Sequence, residues 1–136
     1  MLYAILCYNS EEMVDSWTKE QDAAVMADIA VVNDKLARRG RLGPVVRLGS
    51  TKTARTLRKE REPFHVTDGP YAETKEQILG FWIVDCDSDD EAMETAQELG
   101  KANPGGAFEV RPLTLFLPGT SLAETASVAA PNASGH

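Results

Sequence analysis

Leu2-Tyr3-Ala4-Ile5-Leu6-Cys7-Tyr8 opens the chain, and Thr18-Lys19-Glu20-Gln21 begins its next ordered stretch. Together they decide the fold. Residues 2–8 are apolar at odd and even positions alike, which predicts a strand covered on both faces. No basic flank precedes it, so it reads as a strand rather than a signal peptide, and the cytoplasm is the expected location. Asn9 and Ser10 end the strand, and an acidic loop is expected after them. Thr18 with Gln21 three residues on is the pattern of a capping box. Val25, Ile29, Val32 and Leu36 then recur at the spacing of one helical stripe. Arg38 and Arg39 suit the negative end of the helix dipole, and Gly40 the position just past it, so a helix is expected over 18–39. Trp17 reads as an apolar staple on its first turn.

Working outward, Gly43-Pro44 is a breaker and 45–48 a short strand. Residues 53–67 read as a hairpin: β-friendly Thr and Leu among basic residues, a charged turn at 59–63, and a return through Phe64-His65-Val66-Thr67. Asp68-Gly69-Pro70 has strong turn chemistry. Residues 78–86 form a second apolar strand. Ser88 and Glu91 repeat the capping pattern ahead of a helix whose inner face carries Ala92, Met93, Ala96 and Leu99, bounded by Gly100 and Pro104. Phe108-Glu109-Val110-Arg111 alternates as a half-exposed last strand.

The order β-α-β-β-β-α-β is the split βαβ pattern, a ferredoxin-like α+β fold with an extra short strand or hairpin. Both helices fall on one face of such a sheet. The other face needs cover, and sheet-to-sheet homodimerisation into a barrel-like α+β assembly is the expected source. The domain is expected over 1–117. The Pro-, Ser- and Ala-rich stretch 118–136 reads as a mobile tail. Leu115, Phe116 and Leu117 also need cover, which a partner subunit would supply.

Among 136 residues, 14 Lys and Arg face 21 Asp and Glu, a net charge of −7. Such a domain repels phosphate backbones and anionic lipid, so neither nucleic acid nor a membrane is an expected partner. Cys7 and Cys86 lie far apart inside apolar runs, which suits buried free thiols rather than a disulfide framework. Two Cys and two His lack ligand spacing, and no glycine-rich phosphate loop occurs, so neither metal nor cofactor is expected.

The chemistry concentrates in residues 67–77, Thr-Asp-Gly-Pro-Tyr-Ala-Glu-Thr-Lys-Glu-Gln. A rigid turn carrying several ionisable groups beside a buried strand is a site candidate. The plainer alternative is an Asp that caps turn amides, followed by a solvated charged loop. Asp68 and Glu73 are the candidate catalytic carboxylates. Tyr8, Tyr71, Lys75 and Glu76 are the candidate contacts to a small organic ligand. His65 reads as a proton shuttle or as an edge-strand residue facing water; in a strand it would face away from position 68. Arg47, Arg55 and Arg58 read as anion contacts or as charges that protect strand edges.

Asp68-Gly69-Pro70, Ala72-Glu73-Thr74-Lys75-Glu76 and Gly80-Phe81 resemble the signature of the YCII-related family in its DGPF-motif branch, with Tyr71 at the Phe position and Leu79 where the family has a second glycine. Leu6 and Tyr8, Gly40-Arg41-Leu42, residues 54–58 and Glu109-Val110-Arg111-Pro112 extend the resemblance over about residues 1–113. The resemblance implies a ferredoxin-like subunit, dimeric through its sheet, with a pocket between helices and sheet. Some family members are encoded beside extracytoplasmic-function sigma factors, and a relative is implicated in dehydrochlorination of an aromatic ring. Shorter YCII proteins carry a proposed acid–base His eleven residues before the helix-ending Gly; here Ile29 stands there. Two functions follow as expectations: small-molecule acid–base chemistry around Asp68, or a non-catalytic dimeric binding or regulatory module in which the motif is structural.

Overall fold

The computed structural model describes residues 1–122 and residue 128; most of the expected tail over 118–136 thus lies outside the described residues. Strand β1 (Leu2–Asn9) is followed by a short helix α1 (Glu11–Asp15), the long helix α2 (Lys19–Arg38) and β2 (Leu42–Arg47). A 3-10 turn (Thr51–Thr53) leads into the strands β3 (Arg55–Arg58) and β4 (His65–Asp68). β5 (Gln77–Asp85), α3 (Asp89–Ala102) and β6 (Ala107–Pro112) complete the domain. The main sheet runs β2-β5-β1-β6 and every pairing in it is antiparallel, the ferredoxin-like α+β arrangement; β3 and β4 form a separate two-stranded hairpin.

Local chemistry explains the boundaries. Thr18 and Gln21 form the expected capping box at the start of α2. At its other end the Gly40 N–H reaches Ala37 O and the Arg41 N–H reaches Leu36 O, a Schellman closure. Ser88 Oγ accepts from the Glu91 N–H, but the Glu91 carboxylate accepts from the Asp87 N–H, one residue earlier than a capping box requires. The acidic loop expected after β1 is instead helix α1. Ser10 Oγ caps the Met13 N–H, and Glu11 and Glu12 sit at the positive end of the dipole. The Glu11 carboxylate also accepts from the N–H and the hydroxyl of Thr51, and the Glu11 N–H donates to Gln77 Oε1, tying α1 to the foot of the hairpin.

Alternation in β1 splits its apolar residues between two faces. Tyr3, Ile5 and Cys7 join Trp82 and Val84 of β5, Ile29 and Leu36 of α2, and Ala92, Ala96 and Leu99 of α3 in one core. Ile5, Leu99 and Val84 are fully buried, each contributing about 1.5–3 kcal/mol of transfer free energy. Tyr3 donates to the Asp89 carboxylate at 2.7 Å, which with burial pushes its phenol up to about 12 and keeps it neutral. Ala4, Leu6 and Tyr8, with Phe81 and Ile83, point to the opposite face, where neither α2 nor α3 packs. No helix of the described residues is long and apolar enough to cross a membrane.

Candidate functional site

Between α2 and the sheet lies a cavity of about 100 Å³. Val25, Met26, Ile29 and Asn33 of α2 form one wall, and Cys7, Val45, Leu79 and Trp82 of the sheet form the other. Val14 of α1 and Trp17 close one end. Volume on this scale suits a single ring in an apolar surround. Both tryptophans of the chain border it, so the residue expected to staple the helix start is also part of a cavity wall.

The polar groups of this wall are engaged mainly with one another. Trp82 Nε1 donates to Asn33 Oδ1 at 2.9 Å. Arg47 of β2 pairs with Asp22 of α2 at 3.1 Å, joining the two walls at one rim. Asn9 donates to Pro104 O and accepts from the Ser10 N–H. Burial pushes the Cys7 thiol up to about 11, so it is a neutral, soft wall atom rather than a nucleophile. Gly80 belongs to the same wall. A Cβ there would come to 2.2 Å from Val46 O, so the close backbone approach at this glycine is made by strand β2.

The motif residues 68–76 lie elsewhere. Asp68 ends β4 opposite Arg55, its side chain 98% exposed and its only ion pair among the described residues a long one, 4.0 Å to Arg55 Nε. Among the described residues it caps no amide, contrary to the plainer expectation for this turn. Gly69, at φ +98°, does the holding: its N–H reaches Ala54 O at 2.7 Å and its carbonyl accepts from Thr56 Oγ1 at 2.8 Å. Tyr71 is largely exposed, with the Arg58 guanidinium 5.1 Å from its ring centre. Glu73, Lys75 and Glu76 are exposed. None of residues 65–76 lines the α2 cavity. Tyr8 is on the second sheet face, donating to Glu109 Oε1 at 3.2 Å, so it joins neither the cavity nor the hairpin cluster.

His65 and Asp68 face opposite ways on β4, as strand geometry requires: the pattern alternates half-buried at 65 and 67, exposed at 66 and 68. His65 does not face water wholly. Its Nδ1 is the one buried side-chain polar atom without a hydrogen-bond partner among the described residues. Arg47 pairs with Asp22, and Arg58 contacts Thr67 and Tyr71. Among the described residues no group of three or more His, Cys, Asp or Glu could hold a metal ion.

Of the cavity-wall residues, the sequence singled out Trp82 as aromatic pocket lining or core, Trp17 as a staple rather than a ligand stack, and Arg47 as an anion contact or an edge charge; the others entered only through the expected pocket between helices and sheet. The signal was present in the pairing of a small apolar set on α2 with Cys7 and Trp82. It could not be distinguished from ordinary core packing.

An uncharacterized protein of Rhizobium meliloti (strain 1021) is 52% identical over 120 residues, covering 88% of this chain and 97% of its own length. The family model described as the YCII-related domain matches residues 1–117, and the chain belongs to that family.

Proposed function

We propose that this YCII-related chain is a homodimeric binding protein for a small, uncharged, largely apolar organic molecule, held between α2 and the sheet. The observation that carries this reading is the cavity itself. Its wall is apolar, its polar groups are engaged within the protein, and Ile29, only 6% exposed, stands where shorter relatives carry the proposed acid–base His. A charged ligand would be desolvated there without a counter-charge, because Arg47 is already neutralised by Asp22. Asn33 spends its carbonyl on Trp82 and keeps its amide nitrogen as a donor to a ligand. Homodimerisation is supported by the apolar second face of the sheet, which neither α2 nor α3 covers and where Leu6, Tyr8 and Phe81 stay half-buried beside the buried Ala4 and Ile83.

Trp17 and Trp82 supply the readout. Titration with phenol or indole is expected to change tryptophan emission saturably, while benzoate leaves it unchanged. Ile29→Phe fills the cavity and is expected to abolish the response while the protein still unfolds cooperatively. An unsaturable response in the wild type, or one insensitive to Ile29→Phe, sinks the reading.

The alternative is acid–base chemistry by Asp68 and Glu73. It is favoured by one observation, that among the described residues the Asp68 carboxylate has no partner nearer than Arg55 at 4.0 Å and is open to a ligand. It needs a second subunit to build a pocket wall over the hairpin. Under this reading Asp68→Asn and Glu73→Gln abolish a ligand-induced thermal shift; under the cavity reading they leave it intact.

A further inference from the structure

The β3–β4 hairpin is the least supported part of the described structure. Two-stranded hairpins are marginal alone in water, and among the described residues these strands pair only with each other. One side of the hairpin is occupied by its own chain: Thr56 holds Gly69, and Arg58 lies between Thr67 and Tyr71. The other side carries Leu57 and its cross-strand partner Val66, 56% and 51% exposed, with Phe64 exposed beyond them. Arg55 and Asp68 pair off at one end of this apolar centre. An apolar middle with a matched charge pair at its rim is the anatomy of a protein interface. Each of the two strands also keeps one edge free of ladder partners among the described residues.

A second apolar segment in the same chain lacks cover. β6 ends at Pro112, the Leu113 N–H makes a last bond to Leu2 O, and the chain then leaves the sheet. Leu115 and Leu117 are 74% and 77% exposed, with Phe116 exposed between them. Residues 113–117, Leu-Thr-Leu-Phe-Leu, are apolar at every position but 114, a short apolar stretch that suits a strand added to a free edge.

We propose that the outer face and free edge of this hairpin receive residues 113–117 of a second copy of this chain. The exchange is reciprocal, each copy giving its segment and receiving its partner's, which closes a two-fold dimer without leaving a sticky end. Charge favours a second copy over an unrelated partner. Residues 51–63 hold five basic residues against two acidic ones, in a chain whose net charge is −7, so the hairpin is drawn to the acidic remainder of a second copy, while the uncharged segment 113–117 meets the hairpin's apolar centre. This contact rests on the homodimer reading but is separate from the sheet-face contact.

A mixed cross-linking experiment tests it. Leu57→Cys is placed in one tagged full-length chain and Leu115→Cys in a chain with a different tag, and the two are co-refolded and treated with a short bismaleimide. Cys7 and Cys86 are buried and stay silent. A cross-link joining the two tags is the expected result. A dimer by sedimentation without that cross-link overturns the exchange and leaves the sheet-face dimer standing. A monomer overturns both. A chain carrying both substitutions that cross-links within itself as a monomer shows the segment folding back on its own hairpin and also overturns the exchange. As a second measurement, Leu57→Ser with Val66→Ser is expected to weaken dimerisation at least tenfold while cooperative unfolding persists; an unchanged dimer affinity overturns the proposal.

Discussion

The layer of α2 on the sheet and the β3–β4 hairpin solve opposite problems with similar residues. In the layer, apolar side chains at two periodicities meet, and the few polar groups among them are paired: Trp82 with Asn33, Arg47 with Asp22, Tyr3 with Asp89. In the hairpin, Leu57, Phe64 and Val66 face outward, and the charged residues around them make long or exposed pairs. Residues 68–76 of the recognisable motif mark the exposed region, whereas its Gly80 borders the cavity. Motif density and pocket location are therefore different properties of this chain. The motif's glycine is required by a turn with positive φ, held through the backbone and Thr56, and that requirement exists whether or not a ligand is near.

The contrast can be broken most severely in the layer. Ile5→Ala or Leu99→Ala removes a fully buried side chain and is expected to cost about 2–5 kcal/mol by urea denaturation. The same truncation at Leu57 should cost well under 1 kcal/mol in monomeric protein. Equal costs would mean that the hairpin is covered. Gly80→Ala forces a Cβ against Val46 O and is expected to lower stability by about 1–3 kcal/mol and loosen the β2–β5 pairing, seen as faster amide exchange in β2. Asn33→Ala leaves Trp82 Nε1 buried without its acceptor; about 1–3 kcal/mol and a shift in tryptophan emission are expected. On the hairpin, Thr56→Val removes the bond to Gly69 O and should cost about 1 kcal/mol, whereas Asp68→Ala should leave the melting temperature unchanged. A reversed order would restore Asp68 as the residue that holds the turn.

The smallest effect is a pH limb. Burial raises the Cys7 thiol from 9.0 to about 11 in the folded chain, so the unfolded chain loses this proton first as pH rises. Stability from this group is complete below pH 9 and is lost as pH rises toward 11. Cys7→Ser, compared with the wild type by thermal unfolding across that window, should flatten the decline.

Much of the fold was legible because its signals are local and repeated. The capping box at Thr18, the Schellman glycine at position 40 and the stripe from Val25 to Leu36 specify α2 within a residue at each end. Helix α1 escaped because five residues carry too little periodicity to separate a helix from an acidic loop, although Ser10 and the paired glutamates were its cap and dipole signals. The Asx turn expected at Asp68 failed for another reason. A backbone carbonyl at Ala54 and a hydroxyl at Thr56, distant in sequence, satisfied the turn instead. The candidate site divided in the same way: Tyr8 is adjacent to Cys7 in sequence, yet strand alternation sends one to the second sheet face and the other to the cavity.

The sequence by itself determined the order of the strands and of the two long helices, the ferredoxin-like class and the family, because caps, turns and hydrophobic periods act over a few residues and do not depend on distant contacts. Only the tertiary structure decided where the open space lies and which charges neutralise one another. Those follow from how α2 settles on β5 and β1, a packing of residues far apart in the chain. There Ile29, Trp82 and Cys7 come to surround a cavity, and Asp68 is left in water.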